Sequence, residues 1–251
     1  MNNKIVVYTA VFGKYSGLIP QPKLKDIDFI CYTDQELSSN SWKVIKVDLP
    51  VKNDNTRSNR WYKILPHKHL SDKYSVSVYI DANIWVLKDI NSLIKEKMAI
   101  AKMACFDHNQ NIGDKRNCIY DEYEAIVEGG KLKGVYKDDP IIMKKQMERF
   151  KNEGYPKDNG LITAPILIRK HFDEEVKKVM EAWWHIVANE SKRDQLSFNY
   201  VAWKLNFTNY SFINGHVRTG NPWFYTISHR KNYRFKMFKI KFKRFLKKLS
   251  F

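Results

Sequence analysis

Asp81 and Asn83 stand two residues apart, directly after the apolar run Val76-Ser77-Val78-Tyr79-Ile80. Side chains at the carboxyl end of a parallel strand face the ligand crevice, so two oxygen donors at this spacing suit one hard divalent cation. A cation so held would in turn grip a pyrophosphate. Asp and Asn are equally at home in a strand-ending turn, and the pair alone leaves both readings open.

Other groups suit the same chemistry. Arg57, Arg60 and Lys63 recur every three residues and share a helical face. Cations there would neutralise a departing diphosphate, although a solvated helix face has the same pattern. His216 follows the apolar run from Tyr210 to Ile213 and stands among Gly215, Gly220 and the segment Asn221-Pro222-Trp223. Glycines there permit close backbone approach to a ligand, while a lone histidine also fits a structural role. Asn159-Gly160 precedes the run Leu161 to Ile168, and Arg193-Asp194-Gln195 precedes the apolar positions Leu196, Tyr200 and Trp203. Asp194 also suits a helix N-cap.

Positioning these groups requires strands alternating with helices. Apolar, β-branched runs recur at Lys4 to Thr9, Ile27 to Tyr32, Trp42 to Val47, Val76 to Ile80, Ala99 to Phe106 and Leu161 to Ile168. The pattern predicts an α/β fold with a mainly parallel sheet covered on both faces. A helix is expected from about Phe172 to Ala188, with Phe172, Val176, Val179, Met180, Trp183, Trp184 and Val187 on one face. Its two tryptophans read as core residues. Another is expected from about Ser58 until Pro66 stops it. The stretch from His108 to Pro140, polar and rich in glycine, reads as a long excursion over the crevice mouth.

Composition narrows the classes. With 251 residues, 43% hydrophobic and 14% aromatic, the chain can bury a full core. Three widely spaced cysteines, Cys31, Cys105 and Cys118, fit core thiols in a reducing compartment. No apolar run is long enough for a membrane span, and the N-terminus reads as a first strand rather than a signal peptide. The net charge of +17 is concentrated in residues 230 to 251, which hold ten Lys or Arg and no acid; the remainder carries +7.

That basic segment places Phe235, Phe238, Phe242, Phe245, Leu246 and Leu249 on one helical stripe. Residues 229–251 are therefore expected to form an amphipathic tail appended to a domain spanning 1–228. Such a tail suits an anionic membrane surface, each cation being worth about 1 kcal/mol near the headgroups. Nucleic-acid binding or docking on its own domain are the rivals, but a nucleic-acid arm gains little from six large apolar groups on one side. No nucleic-acid partner is expected, and the predicted location is cytoplasmic, peripheral on the inner face of the cell membrane.

The pieces taken in order resemble the retaining glycosyltransferases of family 8, which have the GT-A fold. They resemble more closely a glycosyltransferase-like family shared by bacteria and the plant mucilage and turgor-defect proteins. Its marks are Tyr8-Thr9-Ala10-Val11-Phe12-Gly13-Lys14-Tyr15, Phe29-Ile30-Cys31-Tyr32-Thr33-Asp34, Arg60-Trp61-Tyr62-Lys63-Ile64-Leu65-Pro66-His67 and Tyr79-Ile80-Asp81-Ala82-Asn83. Asp107-His108 with Arg116 and Cys118-Ile119-Tyr120-Asp121-Glu122 complete the match, over roughly residues 4 to 225. The resemblance implies Asp81, Asn83 and His216 as ligands of Mn²⁺ or Mg²⁺. It implies Thr9, Ala10, Val11 and Tyr15 beside the nucleotide, with Thr33 and Asp34 near them. Arg57, Arg60, Lys63, Asn159, Gly160 and Gly220 would border the donor's phosphates or sugar. Asp194 and Gln195 would lie beside the anomeric carbon, with His108 and Glu122 as further catalytic candidates. Two departures stand out: Asn83 replaces an acidic ligand, and Asn221 occupies a position where family 8 usually has a lysine.

The implied activity is metal-dependent transfer from a nucleotide sugar, most simply a UDP-sugar, to a glycan or lipid-linked acceptor in cell-surface polysaccharide synthesis. Lipid amide hydrolysis of the ceramide type and a non-catalytic nucleic-acid or membrane-binding module are the alternatives. For the former, neither a zinc-type histidine cluster nor a nucleophile elbow is visible in the sequence.

Overall fold

The computed structural model describes residues 4–13, 18–227, 235, 237–240 and 242. Along the chain run β1 (Lys4–Val11), β2 (Ile27–Thr33), β3 (Lys43–Lys46), α1 (Asn55–Ile64), β4 (Tyr74–Ile80), β5 (Ile84–Val86), α2 (Asn91–Ile100) and β6 (Met103–Asp107). They are followed by α3 (Ile119–Lys133), α4 (Pro140–Asn152), β7 (Ile162–Arg169), α5 (Glu174–Asn189), α6 (Phe198–Lys204), β8 (Tyr210–Phe212) and β9 (Phe224–Thr226). The central sheet has the order β3-β2-β1-β4-β7-β6-β8. Its neighbours pair in parallel except at β7, which runs antiparallel to both β4 and β6. The mainly parallel α/β sheet expected from the sequence is the one observed.

Alternation along each strand sends side chains to two cores. Val6, Tyr8, Ala10, Ile30 and Tyr32 meet Tyr62 and Ile64 of α1 and Val176, Met180 and Trp183 of α5 on one side. Val7, Val11, Phe29 and Cys31 meet Leu93, Ile94 and Met98 of α2 on the other. All three cysteines are buried and free. Trp183 is fully buried, as its spacing predicts, whereas Trp184 is only partly covered and Phe172 is exposed.

Arg169, the last residue of β7, is also fully buried. Its guanidinium donates to the Tyr8 hydroxyl at 2.5 Å and to the carbonyls of Lys63 and Ile64 at 2.7 and 3.4 Å. A cation at the carboxyl end of α1 satisfies carbonyls that have no partner within the helix. It fastens the helix carrying Arg60 and Lys63 to β1 and β7. Asn59 adds a second tie, donating to the Ala10 carbonyl at 2.6 Å.

The stretch from His108 to Pro140 corrects the sequence reading. It is not one long excursion but contains the fifteen-residue helix α3. Ile119, Tyr123, Ile126 and Val127 pack on the core at helical spacing, a period masked in the sequence by charged neighbours and glycines. Gly130 lies within this helix because a Cβ there would come within 2.3 Å of the Tyr136 ring, which folds back over it.

Candidate active site

The chain turns sharply at both strand ends that border the crevice. After β1, Gly13 adopts a left-handed conformation, φ +75°, and any Cβ would meet Asn55 Nδ2 at 2.4 Å. Its N–H donates to both Asp34 carboxylate oxygens, at 3.1 and 3.2 Å. Asp34 therefore shapes the loop that leaves β1. After β4, the Asp81 N–H donates to the Pro165 carbonyl on β7, and the Tyr79 hydroxyl donates to Asp81 Oδ1 at 3.0 Å.

Between these ends lies a cavity of about 260 Å³, lined among others by Ala10, Val11, Asn59, Arg60, Asp81 and Asn83. Asn55, Thr56 and Tyr79 complete the polar wall. These three and Asn59 are not among the site residues expected from the sequence. A signal existed: Asn55 with Asn59, and Thr56 with Arg60, recur at four residues and so share the helical face that carries the cation.

Behind Arg60 is a buried ionic network. Asp194 is held by Arg60 Nε at 3.2 Å and Lys63 Nζ at 2.5 Å. Burial alone would raise the Asp194 carboxyl, but the guanidinium and ammonium overcome it and hold the group well below the usual carboxylate range. For Lys63, burial depresses the ammonium and the Asp194 carboxylate opposes that depression. Lys63 Nζ also lies 5.3 Å from the centre of the Tyr79 ring, which links the network to Asp81. Asp194 is no helix cap. Ser197 stands at the N-cap of α6, and the Asp194 carbonyl accepts the Trp183 indole N–H at 2.9 Å.

The other expected residues occupy several places. Thr9 and Thr33 are fully buried in the sheet, Thr33 Oγ1 accepting from the Gln35 N–H at 3.1 Å. Arg57 is turned away from the cavity: it donates to the carbonyls of Val187 and Glu190 at the end of α5 and pairs with Asp54 at 2.8 Å. This corrects its assignment to the donor site, since its guanidinium is spent joining two helices. Asn159 is exposed, and Gly160 packs near Asn199 with its N–H on the Asn117 carbonyl. Neither lines the cavity at Asp81. Tyr15 lies outside the described residues.

His216 is buried. Its Nε2 is 3.2 Å from Thr163 Oγ1, its Nδ1 accepts the Arg218 N–H, and its ring centre is 5.9 Å from that of His108. Burial, reinforced by His108 and Arg218, brings its pKa down to about 4, so the ring is neutral and chemically suited to bind a metal. The structure gathers Asp81 and Asn83 in the cavity and holds His216 against Thr163. It does not show all three converging. Gly220 exchanges two backbone hydrogen bonds with His216. Asn221 caps the following turn, accepting from the N–H groups of Trp223 and Phe224 and donating to the His216 carbonyl. Its side chain is therefore committed to the loop.

A second cavity, of about 240 Å³, adjoins α3 and is lined by His108, Glu122 and Gln195 together with several cations. Burial raises the Glu122 carboxyl against the pull of Arg116, whose Nε lies 2.8 Å away. Burial, with Arg116 second, lowers His108 to about 4. Elsewhere, Cys118, Asp121 and Asp158 offer ligand atoms within 4.8 Å of one another, two of them on exposed residues. That cluster lines neither cavity.

A family model described as the TOD1/MUCI70, glycosyltransferase-like domain matches residues 1–218. No curated protein matches the sequence. Among solved structures, the glycosyltransferase GlyE of Streptococcus pneumoniae TIGR4 is similar at 9% identity and TM-score 0.42, over 84% of this chain and 45% of that one. The apo bifunctional glycosyltransferase WbbM gives 11% and 0.41, over 84% and 38%. The galactosyltransferase LgtC, solved with donor and acceptor sugar analogues, gives 10% and 0.42, over 84% and 73%. The chain thus spans less than half the length of the first two.

Proposed function

The chain belongs to the TOD1/MUCI70 glycosyltransferase-like family, and we propose that it is a glycosyltransferase that transfers sugar from a nucleotide-sugar donor, a UDP-sugar, bound in the cavity between the ends of β1 and β4. The observation that carries this reading is the placement of Asp81, Asn83 and Arg60 on one cavity wall, with Asp194 and Lys63 buried behind. A carboxylate and an amide oxygen form a hard donor set that fits Mn²⁺ or Mg²⁺. Asp81 and Asn83 would hold the ion, with neutral His216 as a third ligand. When bound, it would supply charge neutralisation at the donor's phosphates.

The chain's own groups do the rest. Arg60 offers a guanidinium to the departing diphosphate from a face fixed by Asp194, so it needs little reorganisation as charge develops. Asp194 has almost no exposed surface of its own. It acts on the site by orienting Arg60 and Lys63. Gln195, one residue on, lines the second cavity, with His108 and Glu122 beyond it as candidates for work on the acceptor hydroxyl.

Thermal unfolding with UDP-, GDP- and CDP-sugars, with and without Mn²⁺, tests the donor assignment. A UDP-sugar with Mn²⁺ is expected to raise the Tm, by mass action on the folded state. Equal Tm values with and without every donor would remove the reading.

The acceptor is proposed to be a glycan or lipid-linked sugar of cell-surface polysaccharide synthesis, met at an anionic membrane. Support comes from residues 235, 237–240 and 242, which are helical. Met237 and Ile240 pack on the cluster of Ile19, Trp85 and Ile227. Phe235, Phe238 and Phe242 project outward, 58%, 64% and 52% exposed. The helix therefore docks by one face and presents three aromatic rings on another, in a stretch of chain rich in lysine and arginine. Replacing all three phenylalanines by serine is expected to abolish flotation with phosphatidylglycerol vesicles while leaving Tm unchanged. Retained flotation would exclude this face as the membrane contact.

A further inference from the structure

The second cavity carries more charge than catalysis at a neutral hydroxyl requires. Arg116, Lys133, Lys137, Arg193 and Arg218 all line it, against two acids, Asp114 and Glu122. Both acids are already engaged by one cation: Arg116 lies 2.7 Å from Asp114 Oδ1 and 2.8 Å from Glu122 Oε2. Among the described residues Lys133, Lys137, Arg193 and Arg218 have no ion pair. Four positive groups thus line about 240 Å³ without a direct ion pair, Arg193 and Lys137 feeling Glu122, and Arg193 also Asp194, only at longer range.

The polar atoms around it are also incomplete. Arg193 Nε and Gln195 Nε2 are buried and have no hydrogen-bond partner. Buried donors in native proteins are nearly always satisfied, and a group that is not calls for an explanation such as an absent ligand. The neighbouring cations raise the electrostatic cost further. The Lys137 ammonium is depressed by burial first, and then by Arg193, Lys133 and Arg218. Like charges held together in this way are relieved by an anion placed among them.

The position of the cavity limits which anion. Asp194 contacts Arg60 on the wall of the first cavity, and Gln195, the next residue, lines the second. One ion pair and one peptide step therefore connect Arg60 of the first lining to Gln195 of the second. We infer that the cavity against α3 is an acceptor subsite for a sugar bearing a carboxylate or phosphate, its anion placed among Lys133, Lys137, Arg193 and Arg218. The inference rests on the transferase reading above and specifies its acceptor class.

Ligand-observed NMR titrations of the full chain with glucuronate, glucose 6-phosphate and glucose test it, with UDP plus Mn²⁺ as a separate probe of the donor cavity. At least one charged sugar is expected to bind about tenfold or more tightly than glucose. The double variant K137Q/R193Q should lose about tenfold in affinity for that sugar and keep its affinity for UDP; both positions are partly or fully exposed, and an unchanged Tm would confirm folding. Which charged sugar prevails separates the carboxylate from the phosphate. Equal binding of glucose, no binding of either charged sugar, or no loss in the double variant would overturn the inference. So would a loss of UDP affinity in that variant, which would assign the cations to the donor's diphosphate. Failure of UDP to bind the wild type, with charged-sugar preference intact, would instead remove the donor reading and leave the anion site standing.

Discussion

Asp81→Ala is expected to lower the turnover of the nucleotide sugar by about a thousandfold or more, with little change in Tm. Loss of the single carboxylate in the donor wall removes the strongest attraction for a divalent cation, and with it charge stabilisation worth about 4 kcal/mol at the transition state. The fold has little at stake in this side chain. Its hydrogen bond to the Tyr79 hydroxyl is lost, but the backbone N–H to the Pro165 carbonyl is available to any residue. Steady-state turnover measured across a Mn²⁺ titration, alongside thermal unfolding, checks both halves. A companion change, Asn83→Asp, adds a second carboxylate and should shift half-saturation to lower Mn²⁺. If Asp81→Ala retains full activity at every Mn²⁺ concentration, the metal-dependent reading fails. Such a result would leave the family assignment untouched and point to an Arg60-centred mechanism.

The sheet was legible because strands buried on both faces announce themselves as continuous apolar runs, and Lys4 to Thr9, Val76 to Ile80 and Leu161 to Ile168 all became strands, the last of them antiparallel to its neighbours. Helix α5 was legible because Val176, Val179, Met180, Trp183 and Val187 repeat at the helical period. α3 was hidden because its buried stripe is interrupted by Glu122 and Gly130, residues held there by tertiary contacts with Arg116 and Tyr136 that local pattern does not encode. For the candidate site, the apolar run of β4 locates the strand's carboxyl end, and Asp81 and Asn83, in the turn directly after it, both line the cavity. Arg57 was misplaced for the complementary reason. It shares a helical spacing with Arg60, but whether a cation meets a ligand or another helix depends on where α5 ends, which only the packed structure settles. The pairing of Asp194 with Lys63 joins residues separated by more than a hundred positions, and no short-range motif reveals it.

That pairing has the largest expected effect on stability. Asp194→Asn keeps the size of the side chain but leaves Lys63, 3% exposed, and the adjoining Arg60 without their counter-charge. Removing one partner of a buried ion pair costs about 3–5 kcal/mol, because the remaining charge stays desolvated. The variant is therefore expected to show a sharply lower denaturant midpoint with an unchanged m-value. The pH dependence gives the sign. In the wild type the folded carboxyl titrates below its unfolded value, so its contribution is complete above the ordinary carboxylate range and is lost as pH falls through the folded pKa. The gap between wild type and variant should accordingly narrow below about pH 4. It should narrow again on the alkaline side. Burial lowers the Lys63 pKa, and without Asp194 to oppose it the unfolded chain binds more protons than the folded one until the pH passes the ordinary lysine value, so the variant gains stability as pH rises. Urea unfolding of both proteins from pH 3 to 10 tests this. A gap that stays constant across that range would mean that Asp194 contributes through shape rather than charge, and its role in fixing Arg60 for the departing diphosphate would have to be abandoned.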